Sequence, residues 1–267
     1  MSDITKSKSA VKRLEGYDSG DIERAAGDRW ITMSNALTRA SHGLTLAEKR
    51  IVMMAVSKLD SARSANAQKL TTKITAAEYA ELAECTLEAA YQALYSAANN
   101  LYNRSITFFE PSFKRGSKQI GDKGTVTRMR WVGRATYQDK EGWVELAWWH
   151  EIVPHLMGIK AQFTSYQLKQ ATALRSIYSW KLLELLMRFE STGVAEYTIE
   201  DFCQSMEATE KQKSDFAKIR TKMIEPAVKE LEEKDNWEIE VEYKKAGRKV
   251  KAIRFKFAKL AQQKFEF

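Results

Sequence analysis

The chain carries the same order of elements twice, and this internal repetition constrains its fold more than any other feature of the sequence. In each half an amphipathic helix is followed by a short helix, a longer helix and strands rich in Lys and Arg. The basic stretches run from Arg104 to Arg134 and from Tyr243 to Leu260. Repetition of this kind indicates two similar modules.

Helix-start signals recur along the first half. A helix is expected near Trp30 to Ala40. Thr45 with Glu48, and Thr75 with Glu78, have the spacing of capping boxes that open helices, and Thr86 is expected to cap a longer helix. The remaining predicted elements are strands over 69–74, 105–110, 126–137 and 143–148 and a short helix near 150–157.

The second half shows the same order with a clearer hairpin. An amphipathic helix is predicted over Leu174 to Phe189, a short helix after Thr198, and a long helix from Ser214 to about Lys234. Trp237 to Tyr243 alternates apolar and acidic residues, which is typical of a half-buried strand. Ala246 and Gly247 supply the turn, and Val250 to Phe257 is the returning strand.

Helix, short helix, long helix and basic hairpin, in this order, indicate a winged helix. The sequence therefore predicts an α+β protein with two winged-helix domains in tandem. Residues 1–27 are expected to form a flexible tail, residues 28–158 the first domain and residues 162–260 the second.

Composition excludes several classes of protein. The longest apolar run, 51–56, has six residues, whereas a membrane span needs about 20. The N-terminus has no apolar signal core, and the two cysteines are far apart, so we expect a cytoplasmic protein in a reducing compartment. The net charge of +8 favours a polyanionic partner.

Signatures of catalysis and metal binding are weak. His150 and His155 resemble a zinc-protease pair, but their five-residue spacing places them on diverging faces of a helix. There is no phosphate-binding P-loop and no His-x-His pair of the kind that nicking enzymes use. We therefore expect no catalytic residue, no metal and no cofactor.

The long helix and the hairpin after it are the candidate DNA-binding elements. The first half of the helix is basic and hydroxylated, as expected of a helix whose N-terminal part enters the major groove. The hairpin suits a wing along the phosphate backbone, and uncompensated cations there would repel one another without a polyanion. The candidates are Ser214, Lys218, Arg220, Thr221 and Lys222 on the helix and Lys244, Lys245, Arg248 and Lys249 on the wing.

Four stretches resemble theta-type plasmid replication initiators, which bind iterons, the direct repeats of a plasmid origin. Ser176 to Leu186 is similar to their Tyr-Ser-x-x-Leu-Tyr-Glu-Leu-Leu helix, and Ile219 to Leu231 to their recognition helix with its Pro-Ala-x-x-Glu pattern. Gly247 to Phe255 resembles their Gly-Arg-Lys wing, and Leu44 to Arg50 matches the second helix of their first domain. Ala217 and Ile219 depart from the basic pattern of many relatives.

The resemblance implies two winged-helix domains and no enzymatic activity. Monomers would bind direct repeats in double-stranded origin DNA, promote opening of an adjacent segment and recruit host replication proteins. Dimers formed through the first domain would bind an inverted repeat and repress the protein's own gene. Base reading would fall on the helix candidates and backbone contact on the wing. The first domain would touch phosphates through its basic hairpin, with Arg104, Lys114, Arg115 and Lys118 as candidates.

Two other functions fit parts of this pattern. A dimeric transcriptional repressor with the same fold would bind an inverted repeat and would not open DNA. A nicking enzyme of rolling-circle replication would need metal ligands, and the required spacing is missing.

Overall fold

Two three-stranded antiparallel sheets with the same strand order form the framework of the chain. The computed structural model describes residues 26–59, 70–110, 114–115, 118–119, 125–138, 141–157 and 163–260. Three stretches for which the sequence makes predictions fall wholly or mostly outside these residues: the flexible tail, residues 112–124 of the first basic stretch, and the domain boundary, which is expected near 158–163.

The first half is built from five α-helices, a 3-10 helix (Ala26–Asp28) and eight strands among the described residues. The helices are α1 (Asn35–Arg39), α2 (Leu46–Ser57), α3 (Ala76–Ala83), α4 (Leu87–Leu101) and α5 (Val153–Leu156). The strands are β1 (Trp30–Ser34), β2 (Thr71–Thr75), β3 (Ser105–Glu110), β4 (Lys114–Arg115), β5 (Lys118–Gln119), β6 (Thr125–Arg130), β7 (Val132–Gln138) and β8 (Trp143–Trp148).

The second half repeats the plan with a longer hairpin. Its strands are β9 (Phe163–Gln167), β10 (Val194–Thr198), β11 (Trp237–Ala246) and β12 (Lys249–Lys259). Its helices are α6 (Leu168–Thr172), α7 (Ile177–Met187), α8 (Ile199–Ser205), α9 (Glu210–Lys213), α10 (Phe216–Ile219) and α11 (Glu225–Asp235), with a π-helical turn (Arg220–Ile224) between the last two.

The two main sheets have equivalent topologies. The first has the order β2-β8-β7 and the second β10-β12-β11, so in each sheet the last strand lies between the other two. We call the elements α2, β2, α3, α4, β7 and β8 the first module. The second module consists of α7, β10, α8, the helix from α10 to α11, β11 and β12. Both are winged helices, as predicted, and α4 corresponds in position to the helix from α10 to α11.

Local sequence determines where several helices begin. The hydroxyl of Thr45 accepts the Glu48 N–H at 3.3 Å, and the Glu48 carboxylate accepts the Thr45 N–H at 2.9 Å. Thr75 and Glu78 repeat this exchange, and Thr86 caps α4. Each such cap stabilises its helix by about 1 kcal/mol. The predicted capping boxes are confirmed.

The helix predicted near Trp30 to Ala40 is wrong over its first half. Residues 30–34 form β1, which pairs antiparallel with β9, and only Asn35–Arg39 is helical. The burial of Ile31 and Met33 gives β1 the two-residue period of a strand. The partner strand is distant in sequence, so local periodicity does not reveal it.

The strand predicted over residues 126–137 is divided in the structure. β6 pairs with β3 in a separate two-stranded ribbon, whereas β7 pairs with β8 in the main sheet. Trp131 lies between β6 and β7 and is fully buried. A single buried tryptophan thus separates the ribbon strand β6 from the sheet strand β7.

The helix predicted as amphipathic over 174–189 begins at Ile177 and has no solvent-facing side over most of its length. Every residue from Ser179 to Met187 is buried. α7 contacts α11 and β10 of the second module together with α1 and β9, so it is enclosed on several sides. No helix among the described residues reaches the length and hydropathy of a membrane-spanning segment.

Candidate nucleic-acid interface

The predicted recognition helix is interrupted by a π-helical turn. Asp215 caps its start by accepting the Ala217 N–H at 3.0 Å, so the helix begins at Phe216 rather than at Ser214. At the π turn the Glu225 N–H donates to the Arg220 carbonyl five residues back. Pro226 follows directly, in the first turn of α11. A proline within a helix has no N–H and clashes with the carbonyl four residues back, and the wider turn accommodates it.

The helix around the π turn has a buried face and an exposed face. Ile219, Met223 and Ile224 are buried. Arg220, the first residue of the π turn, is exposed. We call the exposed or half-exposed residues Lys218, Arg220, Thr221 and Lys222 the reading strip.

Three of the four side chains of the reading strip form an ion pair or a hydrogen bond with nearby groups of the same helix. Asp215 lies 3.6 Å from the Lys218 ammonium, and Glu225 lies 3.2 Å from Nε of Arg220. The Thr221 hydroxyl donates to the Ala217 carbonyl at 2.8 Å. Ser214, in the turn before the helix, is exposed and donates its hydroxyl to the Lys211 carbonyl. Within the described part of the chain, the Lys222 ammonium has no carboxylate partner.

Charge pairing divides the basic hairpin into two parts. Along the strands, acidic residues of β11 and β10 and Asp235 at the end of α11 neutralise cations of the hairpin, so the predicted mutual repulsion does not hold for these cations. Lys256 pairs with Glu240 and Glu242, and Lys259 with Asp235. Lys244, a predicted wing contact, pairs with Glu196 at 2.6 Å.

The far end of the hairpin carries the uncompensated charge. Gly247 adopts a left-handed conformation with φ of 62°, which a tight hairpin turn requires and glycine tolerates. Four exposed cations around this turn have no ion pair with any described residue. We call them the wing tip: Lys245, Arg248, Lys249 and Lys251. Lys251 was not among the candidates, although it lies in the same basic run of the sequence.

An aromatic contact places the wing beside the recognition helix. The rings of Phe216 and Tyr243 meet edge to face at 5.2 Å between centroids, joining the start of the helix to β11. Partial burial raises the pKa of Tyr243, as does the nearby Glu225 carboxylate. The reading strip and the wing therefore belong to one packed unit.

The first module presents a different surface at the equivalent helix. Residues 74–103, which include α3 and α4, contain four glutamates and no Lys, Arg or His. Tyr91 and Tyr95 are exposed on α4, and Tyr95 meets the exposed Tyr137 ring edge to face at 5.1 Å. A helix with this charge lacks the cations of the reading strip.

The candidate residues of the first basic hairpin have different environments. Arg104 donates two hydrogen bonds to Glu48, each 3.1 Å long, so it stabilises the start of α2. Lys114, Arg115 and Lys118 lie in the short strands β4 and β5, and their side chains fall outside the described structure. Arg128, which was not a candidate, is exposed and has no ion pair among the described residues.

The histidines have packing roles. Nδ1 of His155 and the hydroxyl of Ser34 are 2.9 Å apart, and the His155 ring packs on Phe108. His150 lies on the ring of the adjacent Trp149. Among the described residues, no cluster of three or more His, Cys, Asp or Glu side chains could hold a metal ion.

Two family models match consecutive parts of the chain. One, described as "Initiator Replication protein, WH1", matches residues 30–187, and the other, "Initiator Rep protein, WH2", matches residues 198–257. Together they span both modules.

Individual relatives agree with these matches. An uncharacterized 27.6 kDa protein of Escherichia coli is 26% identical over 212 residues, which are 76% of this chain and 85% of the relative. A replication initiation protein of E. coli is 23% identical and covers 83% of this chain and 67% of its own length. The Pi initiator protein, solved in complex with iteron DNA, has a TM-score of 0.69 at 21% identity and covers 86% of this chain and 97% of its own. This structural similarity establishes the fold.

Proposed function

The chain belongs to the family of initiator replication proteins, and from this premise we propose that it binds direct repeats in a plasmid origin. The observation that carries the proposal is the pairing of two surfaces in one packed unit. The reading strip is exposed on a helix, and beside it the wing tip presents cations without carboxylate partners. Such an arrangement suits base reading by the helix and phosphate contact by the wing.

The ion pairs of the reading strip support a mechanism in which each cation exchanges its carboxylate partner for a group of the DNA. In the free protein Asp215 and Glu225 hold Lys218 and Arg220 near the helix surface. These pairs are exposed and therefore weak, so they orient the cations at little energetic cost. On DNA the same cations would exchange their carboxylates for phosphate oxygens or the edge of a guanine.

We further propose that the two modules divide the work. The second module would read bases, because its helix carries the cations that the first module's helix lacks. The first domain would touch phosphates through the basic hairpin outside its module, where Arg128 and the candidates Lys114, Arg115 and Lys118 lie. Arg104 is not part of this proposal, because its guanidinium donates two hydrogen bonds to the buried Glu48 carboxylate.

The first module would also contact proteins. The exposed tyrosines of α4 and β7, with few charges among them, have the composition of a protein interface. This supports dimers through the first domain that bind an inverted repeat and repress the protein's own gene. It equally suits recruitment of a host replication protein by the DNA-bound monomer.

Origin opening distinguishes the initiator from a dimeric repressor. A supercoiled plasmid carrying the replicon's own origin would be probed with permanganate, which modifies unpaired thymines, with and without the protein. We expect protein-dependent reactivity in a segment adjacent to the direct repeats. Binding to an inverted repeat alone, with no opening at saturation, would identify a repressor instead. Strand cleavage that depends on a divalent metal would show a nicking enzyme.

A further inference from the structure

A single carboxylate connects the loop before α2 to the second module. Glu207 follows α8 in a left-handed conformation with φ of 55°. One of its carboxylate oxygens accepts the His42 N–H at 2.6 Å, and the other accepts the Gly43 N–H at 3.0 Å. The bonded residues are separated by more than 160 positions in sequence.

A buried lysine completes the contact. The Lys181 ammonium, on α7, donates to Glu207 at 2.8 Å and to the Ser205 carbonyl at 3.0 Å. The side chain of Lys181 is only 3% exposed. Burial by itself would raise the pKa of Glu207, but Lys181 and the two backbone N–H groups outweigh it and hold the pKa below its usual value. We call Glu207, Lys181, His42 and Gly43 the interdomain clamp.

The helix that carries Lys181 is fastened to the first half independently of the clamp. Lys49 of α2 and Glu184 of α7 form a buried ion pair at 2.8 Å, and the Tyr166 hydroxyl donates to the same carboxylate. α7 is thus held on the first half through Glu184, whereas α8 and the turn after it are held through Glu207. Two peripheral contacts join the same surfaces: Arg39 pairs with Asp201, and Ser41 donates to the Gln204 carbonyl.

We propose that Glu207 is a positioning residue for DNA binding. By fixing α8 against residues 42–43, it sets the distance along the duplex between the contacts of the first module and those of the reading strip. This inference rests on the proposed function, because it requires both modules to bind one stretch of DNA. It predicts that the protein discriminates between sites by the spacing of their two parts as well as by their sequence.

Spacing discrimination is the measurement that tests the clamp. Hydroxyl-radical footprinting of the wild-type complex on an origin repeat would first define the two protected blocks. Insertions of one to five base pairs between the blocks then displace and rotate one contact surface relative to the other, since a turn contains about 10 base pairs. For each protein the readout is the ratio of the dissociation constants on the inserted and original duplexes. If part of a preparation is inactive, both dissociation constants change by the same factor and their ratio does not.

The main variant combines Lys181→Met with Glu207→Asn. Asparagine tolerates the left-handed backbone but is too short to reach residues 42–43, and methionine avoids a buried, unpaired cation. In the wild type we expect an insertion to weaken binding about tenfold or more, because simultaneous engagement of two linked modules is lost. In the variant the original duplex binds more weakly, and the insertion changes the affinity less than about threefold.

Two further variants keep the test decisive. Glu207→Gln retains the side-chain length and one acceptor oxygen, so it should give an intermediate ratio. If the double variant does not fold, Glu207→Gln replaces it in the test. Glu200→Gln removes an exposed carboxylate of α8 and should keep the wild-type ratio. The clamp's role would be overturned if both clamp variants gave the same ratio of dissociation constants as the wild type. It would also be overturned if the wild type preferred the repeat but were insensitive to insertions in it. No preference of the wild type for the repeat would refute the proposed function itself.

Discussion

Arg220 and Lys249 present positive charge to a polyanion in two different ways. Arg220 is oriented by Glu225 of the same helix, which suits the defined geometry of a base edge. Lys249 stands at a hairpin turn with no carboxylate partner among the described residues, which suits non-directional contact with phosphates. The local partner of each cation therefore indicates its task.

Replacement of Arg220 by alanine should weaken binding to the origin repeat by about 1–3 kcal/mol, because a bidentate base contact contributes that much discrimination. Binding to a scrambled duplex should change much less, and preference at one base pair should relax. Competition titrations against single-base variants of the repeat measure this. Lys234→Ala, which removes an exposed cation at the far end of the same helix, is the matched control. Equal losses on both duplexes would show that Arg220 contacts only phosphate.

His42 makes stability depend on pH. Burial, reinforced by the nearby cations Lys181, Lys49 and Arg104, holds the pKa of His42 well below its usual value. Its Nδ1 accepts the Leu44 N–H, which requires that nitrogen to be unprotonated. The unfolded chain therefore takes up the proton more readily than the folded one, and stability falls as pH drops below about 6.5.

Melting temperatures between pH 8 and pH 5 test this effect. His42→Asn, whose amide oxygen can accept the same N–H, should flatten the decrease near pH 6, whereas the exposed His150→Asn should keep it. The pKa of Glu207 is also lowered, so its own stabilisation is lost only under more acidic conditions, below about pH 4.3. An unchanged pH profile in His42→Asn would contradict the assignment.

At the scale of elements, sequence predicts best what neighbouring residues determine. Thr45 and Thr75 identify helix starts because both partners of each capping box lie within four positions. The strand at Trp30–Ser34 cannot be predicted in this way, because its hydrogen-bond partner β9 is distant in sequence. The π turn at Arg220–Ile224 is missed because an ideal α-helical wheel assumes a constant rotation per residue. Pro226 was the available signal.

Pro226→Ala should reveal what the π turn contributes. Alanine restores an N–H and removes the clash with the Lys222 carbonyl, which favours a regular α-helix. We expect a higher melting temperature together with binding to the repeat weakened by about 1–3 kcal/mol, because the reading strip rotates relative to the wing. Pro154→Ala, at the first turn of α5 where proline is well tolerated, should change neither. Unaltered repeat binding in Pro226→Ala would show that the π turn has no role in recognition.

The wing acts as an electrostatic element. Lys249→Ala should weaken binding to the repeat and to a scrambled duplex by the same factor, and it should lower the slope of log affinity against log salt by about 1. Titrations at four salt concentrations give that slope. Lys256→Ala is the control, because Glu240 and Glu242 already neutralise this cation. A loss confined to the repeat would assign Lys249 to base reading.

At the scale of the whole molecule, the sequence predicts two winged helices but not how they are joined. The repeated order of elements is visible along the chain, whereas the Glu207 contact with His42 connects residues far apart. The same holds for charge: the basic run of the hairpin is visible, but its neutralisation by Glu196, Glu240 and Glu242 depends on strand pairing. The sequence therefore predicts three of the four wing-tip residues, whereas the pairing of Lys244 with Glu196 is visible only in the folded chain.

Titration of the replicon's own origin repeats tests the central claim most directly. Fluorescence anisotropy would compare direct repeats with a scrambled duplex of equal length at several salt concentrations. The account predicts a preference for the repeats of about 10³ or more, with a steep salt dependence on both duplexes. Equal, weak and salt-sensitive binding to both duplexes would contradict it, because the exposed helix would then present charge without reading sequence.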